Sequence, residues 1–249
     1  MKKILFYSFL LALIWSCSED SNFVFDNVDD TALELRGSDK DTTCYRTPPP
    51  LKITVPNGAT PAQVKKAVHD ALDAAIKGEK DPAVKNTLKE AKTAFNDAAA
   101  AGVSGALEDL DGLTFPYFKV KTVGGRLVII AISIQVLNPP KPPPAGDIVA
   151  AHEDGHSLIT SEVSKRVIKK ATEDAKKAGK KGKALKDAVR NKVIELDTIA
   201  QKAFDKRTNS GQIGTAAQQT AWAQEEANKV IDAYLASEGV RKEDDYVTK

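Results

Sequence analysis

Apolar residues recur at helical spacing from residue 61 onward. Val64, Ala67/Val68, Ala71/Leu72 and Ala75/Ile76 line one face, which predicts a helix to about Ile76. Thr60 is placed to cap its first turn and Pro61 to occupy the first helical position. Just upstream, Leu51, Ile53 and Val55 alternate with Lys52 and Thr54, the period of a short strand. "GEKDP" then breaks the pattern, and Asp81–Pro82 opens a second helix to about Ala101. The small and polar residues of "GVSGALEDLDGL" read as loop. His69 stands one position past the apolar stripe and reads as a surface residue.

Two strands follow in "YFKVKTVGGRLVIIAISIQVL", turning at Gly124–Gly125. In the second, Val128, Ile130, Ile132, Ile134 and Val136 share a face. Leu127, Ile129 and Ala131 make its first half apolar on both sides, so that half should be buried. "NPPKPPPAGD" ends the strand, because proline cannot continue a hydrogen-bonded ladder.

The remainder is helical. Asp147 is an N-cap candidate for a long helix to about Ala178, closed by Gly179. "KKGK" turns the chain into a second helix, about Ala184 to Phe204, with Leu185, Val189, Val193, Leu196, Ala200 and Ala203 as its stripe. "DKRTNSGQIGT" interrupts, and a last helix spans about Ala216 to Ala236. The expected fold is α+β, a single domain over residues 51–249. A small antiparallel sheet and two N-terminal helices would pack on a C-terminal helical group.

Composition narrows the class. The 249 residues are 42% hydrophobic and 28% charged, with a formal charge of +2. No basic stripe interleaved with aromatics appears, which argues against a nucleic-acid partner. The lysine-rich stretch 165–186 reads as the solvated tip of a helical hairpin, with the binding of an acidic surface as its alternative.

The N-terminus has another purpose. Lys2 and Lys3 precede an apolar run from Ile4 to Trp15, too short to span a bilayer permanently, which reads as a signal peptide over residues 1–16. "IWSC" resembles a bacterial lipobox, implying cleavage before Cys17 and a lipid on its thiol. The implied location is the bacterial cell envelope, at the outer membrane or the cell surface. The acidic "SEDSN" beyond it and the polar residues to Pro50 read as a tether (17–50). A tether lying in the cleft would give a self-inhibited form. With Cys17 lipidated only Cys44 remains, so no internal disulfide is available. Cys44 reads as a bystander in the tether.

One stretch carries chemistry. "AHEDGHSLIT" places His152 and His156 four residues apart on the long helix, with Glu153 between them. Positions i and i+4 share a helix face, so both imidazoles can reach one zinc ion. Glu153 stands about 100° round, where it can act as general base toward water that the zinc acidifies. Gly155 costs about 1 kcal/mol in a helix relative to alanine, a cost that close approach of another segment would justify.

The motif on a helix after a hairpin resembles the zincin group of zinc metalloproteases. That resemblance implies a peptide or protein substrate, Zn2+ on His152 and His156, Glu153 as base, and a third His, Glu or Asp ligand. No histidine lies downstream. A hairpin turning near Lys181 sets position 156 opposite about 206. There, Phe204, Asp205, Thr208 and Gly211 resemble a Tyr-Asp-x-x-Thr-x-His-Gly segment of small bacterial secreted proteins read as zinc proteases, with Ser210 in place of the histidine. Asp205, Glu225 and Glu226 remain open as third ligand. Asp205 points away from the Leu196 stripe, so it would serve only if the helix broke near Phe204. The function expected is a membrane-anchored zinc metallopeptidase. The alternative is a non-catalytic surface lipoprotein that binds a partner on a degenerate protease scaffold.

Overall fold

The computed structural model describes residues 43–139, 141–142 and 145–237. The signal peptide, the lipobox Cys17 and most of the tether lie outside the described residues. In chain order the elements are β1 Thr43–Arg46, β2 Leu51–Thr54, α1 Pro61–Gly78, α2 Pro82–Ala94, α3 Asp97–Ala106, β3 Gly112–Val123, β4 Arg126–Leu137, α4 Ala145–Lys177, α5 Gly182–Thr208 and α6 Ala216–Ala236.

β4 organises the sheet. β3 pairs antiparallel along its whole length, from Gly112 opposite Leu137 to Val123 opposite Arg126. On its other side β1 runs parallel to Leu127–Ile130 and β2 parallel to Ile134–Leu137. These two short strands are halves of one edge, parted by Thr47 and three prolines that offer no amide to a ladder. The sheet is therefore mixed, not the antiparallel one expected, and the layout is not zincin-like. Residues 43–46, read as tether, are sheet edge. The tether pattern hid them because four residues before a proline run carry too little period to register.

The alternation along β4 divides the interior as its sequence implies. Val128, Ile130, Ile132, Ile134 and Val136 pack with Val64, Val68, Leu72, Leu88 and Val103 from α1–α3. Ile129 and Ala131 face the other way, into a second core with Val163, Val167, Val193, Phe204 and Ile231 from α4–α6. Each fully buried aliphatic side chain of this kind contributes about 1.5–3 kcal/mol. The sheet thus lies between two helical layers.

The helix ends follow local rules. Thr60 caps α1 in a capping box with Gln63, with Pro61 in the first turn. Asp81 caps α2. The helix expected to reach Ala101 instead stops at Ala94 and restarts at Asp97, because the Asn96 side chain caps a new first turn. Residues 102–106, read as loop, are helical. Asp147 is not the cap of α4 but lies in its first turn, where its charge still suits the helix dipole. His69 is half-buried, its Nε2 2.9 Å from the Phe95 carbonyl. Among the described residues no helix is long and apolar enough to cross a membrane.

Candidate metal centre

Beyond Ala131 the second-core face of β4 turns polar, and this seats the motif. Gln135 is fully buried, and its Nε2 donates to the Glu153 carbonyl (3.0 Å), Asp154 Oδ1 (3.1 Å) and Ser157 Oγ (2.9 Å). From β3, Thr114 Oγ1 donates to Glu153 Oε2 at 2.6 Å. At the edge, Lys52 pairs with Asp154 at 2.7 Å. The sheet therefore holds the first half of α4 by polar contacts and the second half by apolar packing. Gly155 fills the role expected of it. A Cβ there would lie 2.7 Å from Phe204 Cζ and 3.1 Å from the Ala223 Cβ, so only glycine lets α5 and α6 approach this turn.

His152 is 5% exposed and the His156 side chain 12%. Their Nε2 atoms are 3.1 Å apart. Asp205 Oδ1 lies 3.3 Å from His152 Nε2 and 3.1 Å from His156 Nε2. Among the described residues these three form the group of His, Cys, Asp and Glu side chains able to hold a metal ion. Glu225 and Glu226 do not contribute: both pair with Arg207, and Glu226 also with Lys229.

Asp205 reaches the histidines without a break in the helix, since α5 continues to Thr208. α5 meets the motif both along the Leu196 line, which continues through Ala200 to Phe204, and along the polar flank beside it. Asp197, Gln201 and Asp205 follow at i, i+4 and i+8 and so share that flank. The apolar stripe pattern alone gives no sign that this flank is used. Phe204, one residue before, stacks on the His152 ring at 4.8 Å between centroids and meets His156 edge-on. Gly211, with φ +79°, lies so close to His152 that a Cβ would meet the ring at 2.9 Å. Phe204, Asp205, Thr208 and Gly211 thus all surround the imidazoles.

Two buried or half-buried glutamines set the protonation pattern. Gln219 Nε2 donates to the Ile213 carbonyl at 2.6 Å, which turns its Oε1 toward His152 Nδ1 at 3.1 Å. Gln201 Nε2 donates to the His156 carbonyl (3.0 Å) and to Thr160 Oγ1 (3.1 Å), which turns its Oε1 onto His156 Nδ1. An amide oxygen only accepts, so both imidazoles carry hydrogen on Nδ1. Both Nε2 lone pairs then face each other and Asp205 Oδ1. Three acceptors this close need a cation among them. A tetrahedral site with bonds of about 2.05 Å has ligand–ligand edges of about 3.3 Å, and the observed 3.1–3.3 Å suits a small divalent ion.

In the metal-free protein a proton supplies that charge. Burial works against a charged His156, but Asp205, by charge and by hydrogen bond, together with the Glu153 charge and Gln201, raises its pKa to about 9. Burial likewise opposes a charged Asp205, yet the two histidines hold its carboxyl well below the usual carboxylate range. Behind Gln201, burial raises Asp197 to about 7 despite hydrogen bonds from Thr160 and Gln201. The Asp205 side chain is 42% exposed, so the site meets solvent on that side.

Glu153 is 3% exposed, and its carboxylate lies against β3 as well as near His156. Sequence reasoning missed Gln201, Gln219, Gln135 and Thr114. Nothing in their local sequence separates them from surface residues; only Gln201, four before Asp205, shares a helix face with a named candidate. No family model matches the chain, and neither does any curated protein or solved structure.

Proposed function

We propose that the protein is a zinc-dependent metallopeptidase held at the bacterial cell envelope by a lipid on Cys17. His152, His156 and Asp205 are its metal ligands and Glu153 its general base. One observation carries the reading: two glutamines force hydrogen onto both Nδ1 atoms, leaving two Nε2 lone pairs and a carboxylate oxygen within 3.1–3.3 Å of one another. Two histidines and a carboxylate leave a coordination position for water or substrate, the pattern of catalytic rather than structural zinc. Zinc, when bound, acidifies water and polarises a carbonyl. Glu153, one helix step from His152, takes the proton and passes it to the leaving amine. Asp205 opens the site to solvent, and Phe204 shields the other side of the imidazoles.

A second reading has its own support. The Glu153 carboxylate accepts from Thr114 and is almost wholly buried, as expected of a residue that pins α4 to β3. On that reading the protein is a non-catalytic surface lipoprotein, and its metal is structural. The two separate in a peptide-cleavage assay with Glu153→Gln. Loss of at least about a hundredfold in kcat, with metal content and melting temperature unchanged, supports the peptidase. Zinc-loaded protein inert toward a broad peptide library supports the binding module.

A further inference from the structure

A second feature lies at the far end of α4 from the metal centre. Six lysines fall within residues 176–186 with no acidic residue among them. They crowd the turn between α4 and α5, where Gly179 and Gly182 adopt positive φ. Elsewhere on this layer several cations have partners, Lys165 with Glu162, Arg166 with Asp232, Lys170 with Asp174 and Lys192 with Glu195, while the exposed Lys202 and Lys206 stand singly on α5 rather than in a cluster. Among the described residues Lys176, Lys177, Lys180 and Lys183 form no such pair and are exposed. Like charges packed this closely repel, which favours an anionic occupant.

The direction of the chain entering β1 indicates which. Thr47 Oγ1 lies 3.2 Å from Ser161 Oγ, and Lys165 sits over the Tyr45 ring at 5.9 Å. Moving two residues toward the N-terminus, from Thr47 into β1, therefore moves four residues toward the C-terminus of α4. An extended chain rises about 3.3 Å per residue and a helix about 1.5 Å, so the two advance at the same pace. β1 leads away from His152 and toward the lysines. The segment before it, residues 18–42, carries eight carboxylates (Glu19, Asp20, Asp26, Asp29, Asp30, Glu34, Asp39 and Asp41) against Arg36 and Lys40.

We propose that this acidic leader docks on the lysine tip of the α4–α5 hairpin and so clamps the tether at the end of the molecule remote from the metal centre. Four to six residues of extended chain before Tyr45 cover the length of α4 from Lys165 to about residues 173–177, so the tip is within reach of Asp41 and Asp39. From His156 to Lys177 the helix spans about 32 Å. The clamp therefore fixes the point where the tether leaves the folded domain some 30 Å from the metal centre. The inference does not depend on what the centre catalyses.

Zero-length carbodiimide cross-linking of the protein with residues 18–42 intact, read by mass spectrometry, tests it. Carboxylates of the leader, Asp39 and Asp41 foremost, should join Lys176–Lys186. Those links should be lost in about 1 M salt, where the screening length falls to about 3 Å. They should also be lost in a Lys176→Gln, Lys177→Gln, Lys180→Gln, Lys183→Gln variant, whose exposed positions leave the fold intact. Absence of leader-to-tip links in the wild type would overturn the proposal. So would tight binding of the same protein to vesicles of anionic phospholipid through these lysines, which would assign the tip to a membrane surface instead.

Discussion

His156 shows how far single side chains determine behaviour here. Its raised pKa means that metal and proton compete for one lone pair. Below about pH 9 each ion bound should displace one proton, and apparent affinity should rise about tenfold per pH unit up to there. Chelator competition at several pH values checks this; a flat affinity between pH 6 and 8 would contradict it. The same shift affects stability without metal. A histidine whose pKa is raised on folding stabilises fully below its unfolded value near 6.5, and that contribution is lost as pH climbs to about 9. Asp197 behaves differently, since burial raises an acid: its ionisation costs stability as pH rises from about 4 to about 7. Asp197→Asn should therefore gain on the wild type across that lower window and hold the gain above it, in urea titrations of the metal-free protein. A constant difference at all pH values would remove Asp197 from the account. The glutamines belong to this scale too. Gln201→Leu or Gln219→Leu should weaken metal binding about 10- to 100-fold by freeing the imidazole orientation, as competition with the same chelator would read.

Between elements, contacts at α4 decide whether the centre assembles. Gly155→Ala puts a Cβ 2.7 Å from the Phe204 ring. It should cost about 1–3 kcal/mol in denaturant titration and also weaken metal binding, because Phe204 stacks on His152. Unchanged stability would mean that α5 can retreat freely. Much at this scale was legible beforehand. The β4 alternation, the Thr60 cap and the Gly124–Gly125 turn come from local rules that the tertiary structure does not override. The hairpin arithmetic that set residue 156 opposite about 206 brought Asp205 into view. What stayed hidden depended on contacts between segments distant in sequence. β1 is strand because β4 offers it an edge, and its own four residues carry no strand period. Asp205 reaches inward because the polar flank of α5, beside its stripe, also faces α4. Gln135 lies on the face of β4 whose apolar run ends at Ala131, so it reads as solvent-facing, and it is buried because the Glu153 carbonyl lies opposite and accepts from it.

For the molecule as a whole, a sheet between two helical layers separates stability from chemistry. The α1–α3 side is apolar against β4. The α4–α6 side carries both the polar centre and, at its far end, the lysine tip. Metal binding to the folded chain alone should stabilise it by mass action, by about 4 kcal/mol at a free ion concentration a thousand times Kd, and the melting temperature should rise accordingly. The central claim, that His152, His156 and Asp205 hold one metal ion, is met most directly by measuring the metal content of the purified protein beside Asp205→Ala and a His152→Ala, His156→Ala double variant. The account predicts about one zinc per wild-type chain, with little or none in either variant. A wild-type chain that stays metal-free when zinc is supplied, or an Asp205→Ala protein that retains a full equivalent, would contradict it.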